Sequence, residues 1–201
     1  CIAGSGKASN GKYRGIAENT RFVIGKVLDK NGDGLVENMI RGMEWVLTNQ
    51  SRYHIKVLNI SIGTGNGYPK DEYRKIMDLM QEAWRQGIFV VCAAGNSGPK
   101  EDSISHIGTG EYCITVGCHE GEYEYKYKNS CQKHSGIGNG KEVLRKPDIV
   151  APGTEICSCQ PLNVSKKEHK SRYYCHKSGT SMSTAIVSGI ASLFFETHEN
   201  A

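Results

Sequence analysis

The residues best suited to chemistry in this chain lie in two short runs. The first is Gly179-Thr180-Ser181-Met182-Ser183-Thr184-Ala185, at the start of a long apolar helical pattern over residues 181–198. Glycine frees the backbone just before the helix, and a serine there projects its hydroxyl from the helix end. The serine N–H is one of the donors a helix cannot use internally, so it can hold a negatively charged oxygen. The second run is Ala93-Ala94-Gly95-Asn96-Ser97-Gly98, directly after a continuous apolar stretch. Small residues at that point leave room for a bulky group, and the asparagine amide can aim two donors into a cleft. Each run alone has a plain structural explanation: serine and threonine cap many helices, and Asn and Gly suit turns. Together they offer a nucleophile and a cradle for the charge it would create.

Such groups need elements to position them, and short apolar runs alternate here with helical patterns, the signature of a β-α-β arrangement with a parallel sheet. Residues 21–28 (RFVIGKVL), 55–62 (IKVLNISI), 89–94 (FVVCAA) and 113–118 (CITVGC) read as strands, with a short one at 148–151. Helices are expected over 36–49, where Met39, Ile40, Met43, Val46 and Leu47 recur at helical spacing, and over 71–86, stopped by Gly87. Segments 156–158 and 172–176 fit an antiparallel pair. The polar, glycine-containing stretch 120–146 reads as surface loops, and no internal repeat or domain boundary is visible.

Composition narrows the function. The 201 residues carry 24 glycines and a net charge of +4, and the only dense basic cluster is Lys166, Lys167, Lys170 and Arg172. That reads as a solvated loop face, not a nucleic-acid surface. No apolar run approaches the roughly 20 residues that cross a bilayer, and Cys1-Ile2-Ala3-Gly4 has no signal-peptide character. The eight cysteines do not read as a disulfide framework. Cys92, Cys113 and Cys118 sit in or beside apolar runs, and Cys157 and Cys159 are too close for a zinc knuckle. Buried or incidental thiols are expected, with no metal site. The compartment stays open.

The two chemical runs occur in order with Lys146-Pro147-Asp148-Ile149-Val150-Ala151-Pro152-Gly153 between them. This combination resembles the subtilisin-like (S8) serine proteases, whose nucleophile motif reads GTSMAxP and whose oxyanion motif reads AAGN. Val57-Leu58-Asn59-Ile60-Ser61-Ile62-Gly63 is similar to the family's substrate-binding strand, and Ile114-Thr115-Val116-Gly117 matches a further segment. Gly15-Ile16-Ala17 through Lys26-Val27-Leu28 looks like the family's GVAP…VKVL segment. The resemblance spans essentially the whole chain. It implies a three-layer α/β subtilisin-like fold with a mostly parallel central sheet flanked by helices. Residues 1–201 would then be the C-terminal portion of one peptidase domain.

Carried over by motif, Ser181 is implied as nucleophile, with Asn96 and the Ser181 N–H as oxyanion donors. Ser61-Ile62-Gly63 and Ala93-Ala94-Gly95 would wall the pocket for the residue before the scissile bond, and Gly32-Asp33-Gly34 would form the opposite edge. Small residues in both walls suit a large apolar or aromatic side chain. The Asp29–Gly34 run mimics the start of a calcium-binding loop, but its twelfth position is Ile40 where a glutamate is required. No cofactor is implied for catalysis, and a structural calcium ion is left unread. The implied partner is a polypeptide substrate, with no nucleic acid and no membrane.

Two departures matter. The family places its catalytic Asp and His ahead of this region, the His in HGTHVAG, and Cys1-Ile2-Ala3-Gly4 resembles the residues immediately after that motif. None of His54, His106, His119, His134, His169, His176 and His198 has that context. The expectation is a chain with no useful protease activity alone. Its sheet would lack the strand that carries the Asp, and would either re-pair directly or associate with another chain or the missing segment. The second departure is Ala185 where the family has proline, a residue tolerated in the first turn of a helix. The competing readings are a relative that uses the cleft only to bind peptides, and a nucleotide-binding α/β protein. The latter has neither a G-x-G-x-x-G run nor a P-loop after a strand.

Overall fold

The structure is a computed structural model that describes residues 1–63, 69–120, 130–140, 144–161 and 173–198. The dense basic cluster at 166–172 lies outside the described residues.

The expected helical stripes become α1 (Val36–Tyr53) and α2 (Lys70–Arg85). They bury Met39 and Met43 from one, and Ile76, Leu79, Met80 and Ala83 from the other. Gly87 follows α2 with φ of +75°, a left-handed turn that glycine takes without strain. Strands β1 (Val57–Ile60), β2 (Phe89–Ala93), β3 (Ile114–Cys118) and β4 (Ile149–Ala151) form one parallel sheet in that order. Its register pairs Val57 with Phe89, Val91 with Ile114, and Val116 with Ile149. Strands β5 (Ile156–Cys159) and β6 (Tyr174–Lys177) form the expected antiparallel pair, and α3 (Thr180–Thr197) comes after them.

Alternation along the strands assigns the layers. Leu58, Ile60, Val90 and Cys92 pack against α1 and α2, whereas Val91, Val116 and Ala151 pack against Val187 of α3. A sheet covered on both faces explains why its strands read as nearly unbroken apolar runs. The β3–β4 edge is closed by Lys146, whose Nζ donates to the Cys113 carbonyl (2.9 Å) and pairs with Asp148 (2.6 Å).

Three expectations are corrected. Residues 21–28 form no strand, and Phe22, Val23 and Ile24 are 54, 44 and 83% exposed. Their sequence has strand character, but no described strand stands beside them to supply a ladder; β1 remains the sheet edge. Direct re-pairing has therefore not occurred. The 120–146 stretch is more than surface loop: Glu120, Ser130, Cys131 and Ser135 are buried, and Cys131–His134 forms a short 3-10 helix. Its polarity misled because the polar groups are spent on internal hydrogen bonds. Finally, Cys118 and Cys131 are joined as a disulfide, while the six other cysteines are free. Sequence spacing could not reveal that pairing, which depends on the 130–136 loop folding back onto β3.

Candidate active site

The site forms where the ends of β1 and β2 meet the start of α3. Gly179, with φ of +146°, turns the chain from β6 into α3, and its N–H donates to the Gly153 carbonyl (2.9 Å). Thr180 and Ser181 then open the first helical turn. After β2 the chain leaves the sheet through Ala94 and Gly95, the latter with φ of +92°, and presents Asn96.

Asn96 Oδ1 accepts from the Thr180 N–H (3.0 Å) and the Thr180 hydroxyl (3.2 Å). That contact settles the amide orientation, because only the carbonyl oxygen can accept from an N–H. The Nδ2 end is left beside the helix start, 3.3 Å from where a Cβ on Gly179 would stand. The contact is reinforced by the Gly95 N–H donating to Thr180 Oγ1 (3.2 Å). Ser181 is half-buried and Asn96 exposed, so both open onto the surface. The structure thus brings the two chemical runs together at one spot.

Ser181 Oγ donates to the Ser61 carbonyl at 2.8 Å, and Ser61 Oγ reaches back to the Ser181 carbonyl at 3.4 Å. Ser61 thus lies against Ser181, and Gly95 against Thr180. Ala93 and Ala94 are buried, and Gly63 is exposed. The Gly32-Asp33-Gly34 turn is exposed and lies just before α1. Asp29 Oδ1 accepts from the Asn31 and Asp33 N–H groups (2.8 and 3.0 Å), so this carboxylate holds a turn together. Among the described residues the hydrogen bonds of that turn stay within 29–33.

Thr180 emerges as a positioning residue that sequence reasoning passed over, since a hydroxyl at a helix start reads as an ordinary cap. Asn59 is a second: it accepts from Ser188 Oγ (2.9 Å) and donates to Ser61 Oγ (2.9 Å), joining the wall to α3. A third support is the 130–136 loop. Gly136 N donates to the Gly95 carbonyl and Gly98 N to the His134 carbonyl, both at 2.9 Å. A Cβ on Gly136 would collide with the Ala94 carbonyl and lie 2.8 Å from that of Ser103. Gly136→Ala is therefore expected to cost about 1–3 kcal/mol as backbone moves away, read as a lower midpoint in urea unfolding. Ala185 is the sixth residue of α3, beyond the first turn expected for it. There its N–H faces the Ser181 carbonyl four residues back, a bond that proline would remove.

A rival nucleophile can be set aside. A hydrogen bond from Cys92 lowers the Cys113 thiol to about 7, while the same contact and burial push Cys92 well up. Both thiols are shut inside the α1/α2 face, 0 and 2% exposed.

Comparison with known proteins agrees with this architecture. The chain is 34% identical over 206 residues to serine protease AprX of Bacillus subtilis (strain 168), covering 97% of this chain and 46% of that protein. It is 30% identical over 185 residues to subtilisin E of the same organism, covering 92% and 41%. The chain thus spans about half the length of these relatives. Among solved structures, the S41 psychrophilic protease superposes with a TM-score of 0.77 at 24% identity and sphericase with 0.78 at 22%. Each covers 100% of this chain, which covers 62% of either one, and the likeness establishes the fold. The subtilase (peptidase S8) family profile matches residues 1–201, and the chain belongs to that family.

Proposed function

We propose that the protein is a serine endopeptidase that cleaves peptide bonds through an acyl-enzyme on Ser181. The observation that carries this reading is the Asn96–Thr180 contact, which holds the Asn96 amide against the residue before Ser181. Ser181 Oγ attacks the substrate carbonyl carbon, and its proton passes to a general base. The carbonyl oxygen becomes charged and is held by Asn96 Nδ2–H and the Ser181 N–H. The amine leaves with a proton from the same base, and water then releases the acyl group. Donors fixed in advance spend no reorganisation energy when the charge develops.

Among the described residues Ser181 Oγ has no base as its hydrogen-bond partner. The hydroxyl proton points at the Ser61 carbonyl, which is no base at neutral pH, and a serine without a positioned base is a poor nucleophile. We place the base and its carboxylate partner on a segment outside this chain, and expect the chain alone to be catalytically idle. The same segment would cover the open edge of β1 and the exposed Phe22, Val23 and Ile24. Without it, self-association through that edge is expected, read as concentration-dependent mass in light scattering.

The substrate is an extended polypeptide lying along Ser61–Gly63, with the side chain before the scissile bond between the Ser61 and Ala93 walls and the Gly32–Gly34 turn as the opposite edge. Large apolar or aromatic side chains fit these small-residue walls best. A second reading, a relative that binds peptides without cleaving them, draws on the same Ser181–Ser61 bond. An organophosphorus serine probe separates the two. With the base-bearing segment present, label is expected on Ser181 and lost in Ser181→Ala; no label on Ser181 would favour binding alone.

A further inference from the structure

On the far side of α3's first turn, three chemistry-bearing side chains meet that the peptidase reading does not use. Cys118 ends β3, Glu120 lies two residues on, and Cys131 opens the short 3-10 helix. All three are buried, and their ligand atoms lie within 4.8 Å of one another. Glu120 Oε1 stands 3.2 Å from Cys118 Sγ and 3.6 Å from Cys131 Sγ. Among the described residues its one backbone donor at that oxygen is the Gly153 N–H at 3.2 Å. Among the described residues no salt bridge includes Glu120.

This arrangement suits a disulfide poorly. A disulfide has no proton to give, so this carboxylate oxygen would face two electron-rich sulfurs with, among the described residues, one N–H in compensation. A buried carboxylate is normally paired or bound to a metal. Reduced sulfurs change the balance: as thiols they can donate to the carboxylate, and as thiolates they can share a cation with it. For a tetrahedral ion at usual zinc–sulfur and zinc–oxygen distances, the sulfur-to-oxygen edge is about 3.5 Å, between the two distances seen here. Room exists because residue 153 is glycine. A Cβ there would lie 2.9 and 2.8 Å from the sulfurs of Cys118 and Cys131 and would strike Ser183 Oγ.

The backbone around the cluster is already held. Cys118 N donates to Ser135 Oγ (2.9 Å), Cys131 N to Thr154 Oγ1 (2.7 Å), and Glu120 N to Gln132 Oε1 (3.3 Å). Such outer bonds fix the direction of metal ligands.

We propose that Cys118, Glu120 and Cys131 form a binding site for a divalent cation of the zinc class, open when the cysteines are reduced and closed when they join. Opening takes two electrons and two protons and yields two thiols: two thiols supply both and become a disulfide, or a phosphine supplies the electrons and becomes its oxide while water supplies the oxygen and the protons. Cation binding then releases the two thiol protons to solvent. Two thiolates and one carboxylate leave a fourth position for water, beside Gly153. Occupancy would be felt at both halves of the active site. Gly153 accepts from Gly179 just before Ser181, and the 131–136 loop supports the Asn96 turn.

The test is a cobalt(II) titration of the whole chain held reduced by a phosphine, monitored by thiolate-to-cobalt charge-transfer absorption. The wild type is expected to take up one equivalent more than Cys118→Ser/Cys131→Ser, and Glu120→Gln to bind that equivalent at least about ten-fold more weakly. Oxidised protein should behave as the double variant does. Equal uptake by wild type and double variant, or unchanged affinity in Glu120→Gln, overturns the proposal. Zinc K-edge absorption on the wild type needs no variant to fold. Two sulfurs with two lighter atoms support the site, and a four-sulfur shell from the other cysteines refutes it.

Discussion

Asn96→Ala is expected to lower kcat about 10²–10³-fold with little change in KM, in a form of the protein that carries the general base. The magnitude is taken over from subtilisin, itself a member of this family. The reason it falls on kcat is that the oxygen gathers charge only as the transition state forms, so the donor contributes little to substrate binding. Asn96→Asp sharpens the experiment. Aspartate keeps an oxygen for the Thr180 N–H, whose bond to Asn96 is 3.0 Å, but puts an anion where the amide donor stood. If Asn96 merely capped Thr180, aspartate would be tolerated. A loss at least as large as that of alanine, with unfolding midpoint preserved, is the expected result.

The second large effect concerns the base. The 201-residue chain alone is expected to hydrolyse a chromogenic peptide anilide no faster than its Ser181→Ala variant. Joining a segment that brings a histidine and an aspartate to Ser181 is expected to raise the Ser181-dependent rate by about 10⁶, again a figure carried over from subtilisin. The physical cause is visible in the 2.8 Å bond from Ser181 Oγ to the Ser61 carbonyl. That bond orients the hydroxyl, yet the acceptor cannot take the proton. Ser181-dependent hydrolysis by the chain alone would contradict this account.

The parts of the fold with strong local patterns were legible. Met39 and Met43, or Ile76, Leu79, Met80 and Ala83, sit at helical spacing and are buried together. The run from Phe89 to Ala94 is apolar throughout because the sheet is covered on both faces. Ser181 and Asn96 could be paired because their motifs, with residues 146–153 between them, resemble those of the subtilisin-like family. What the chain did not disclose depends on distant neighbours. Residues 21–28 have strand character without a ladder, since pairing is a property of two segments. Ser130 and Ser135 look like loop residues but are buried, because their hydroxyls accept from Gln132 N and Cys118 N. The joining of Cys118 to Cys131 across 13 residues results from that same loop folding inward. Thr180 escaped notice because a cap and a brace for Asn96 look alike in sequence.

The most direct measurement is a crystal structure of Ser181 carrying a peptidyl phosphonate, in the form of the protein that has its base. One phosphoryl oxygen should lie about 2.7–3.1 Å from both Asn96 Nδ2 and the Ser181 nitrogen, with the peptide along Ser61–Gly63. An adduct whose oxygen turns to solvent while Asn96 stays on Thr180 would mean that the two groups are neighbours without a shared purpose.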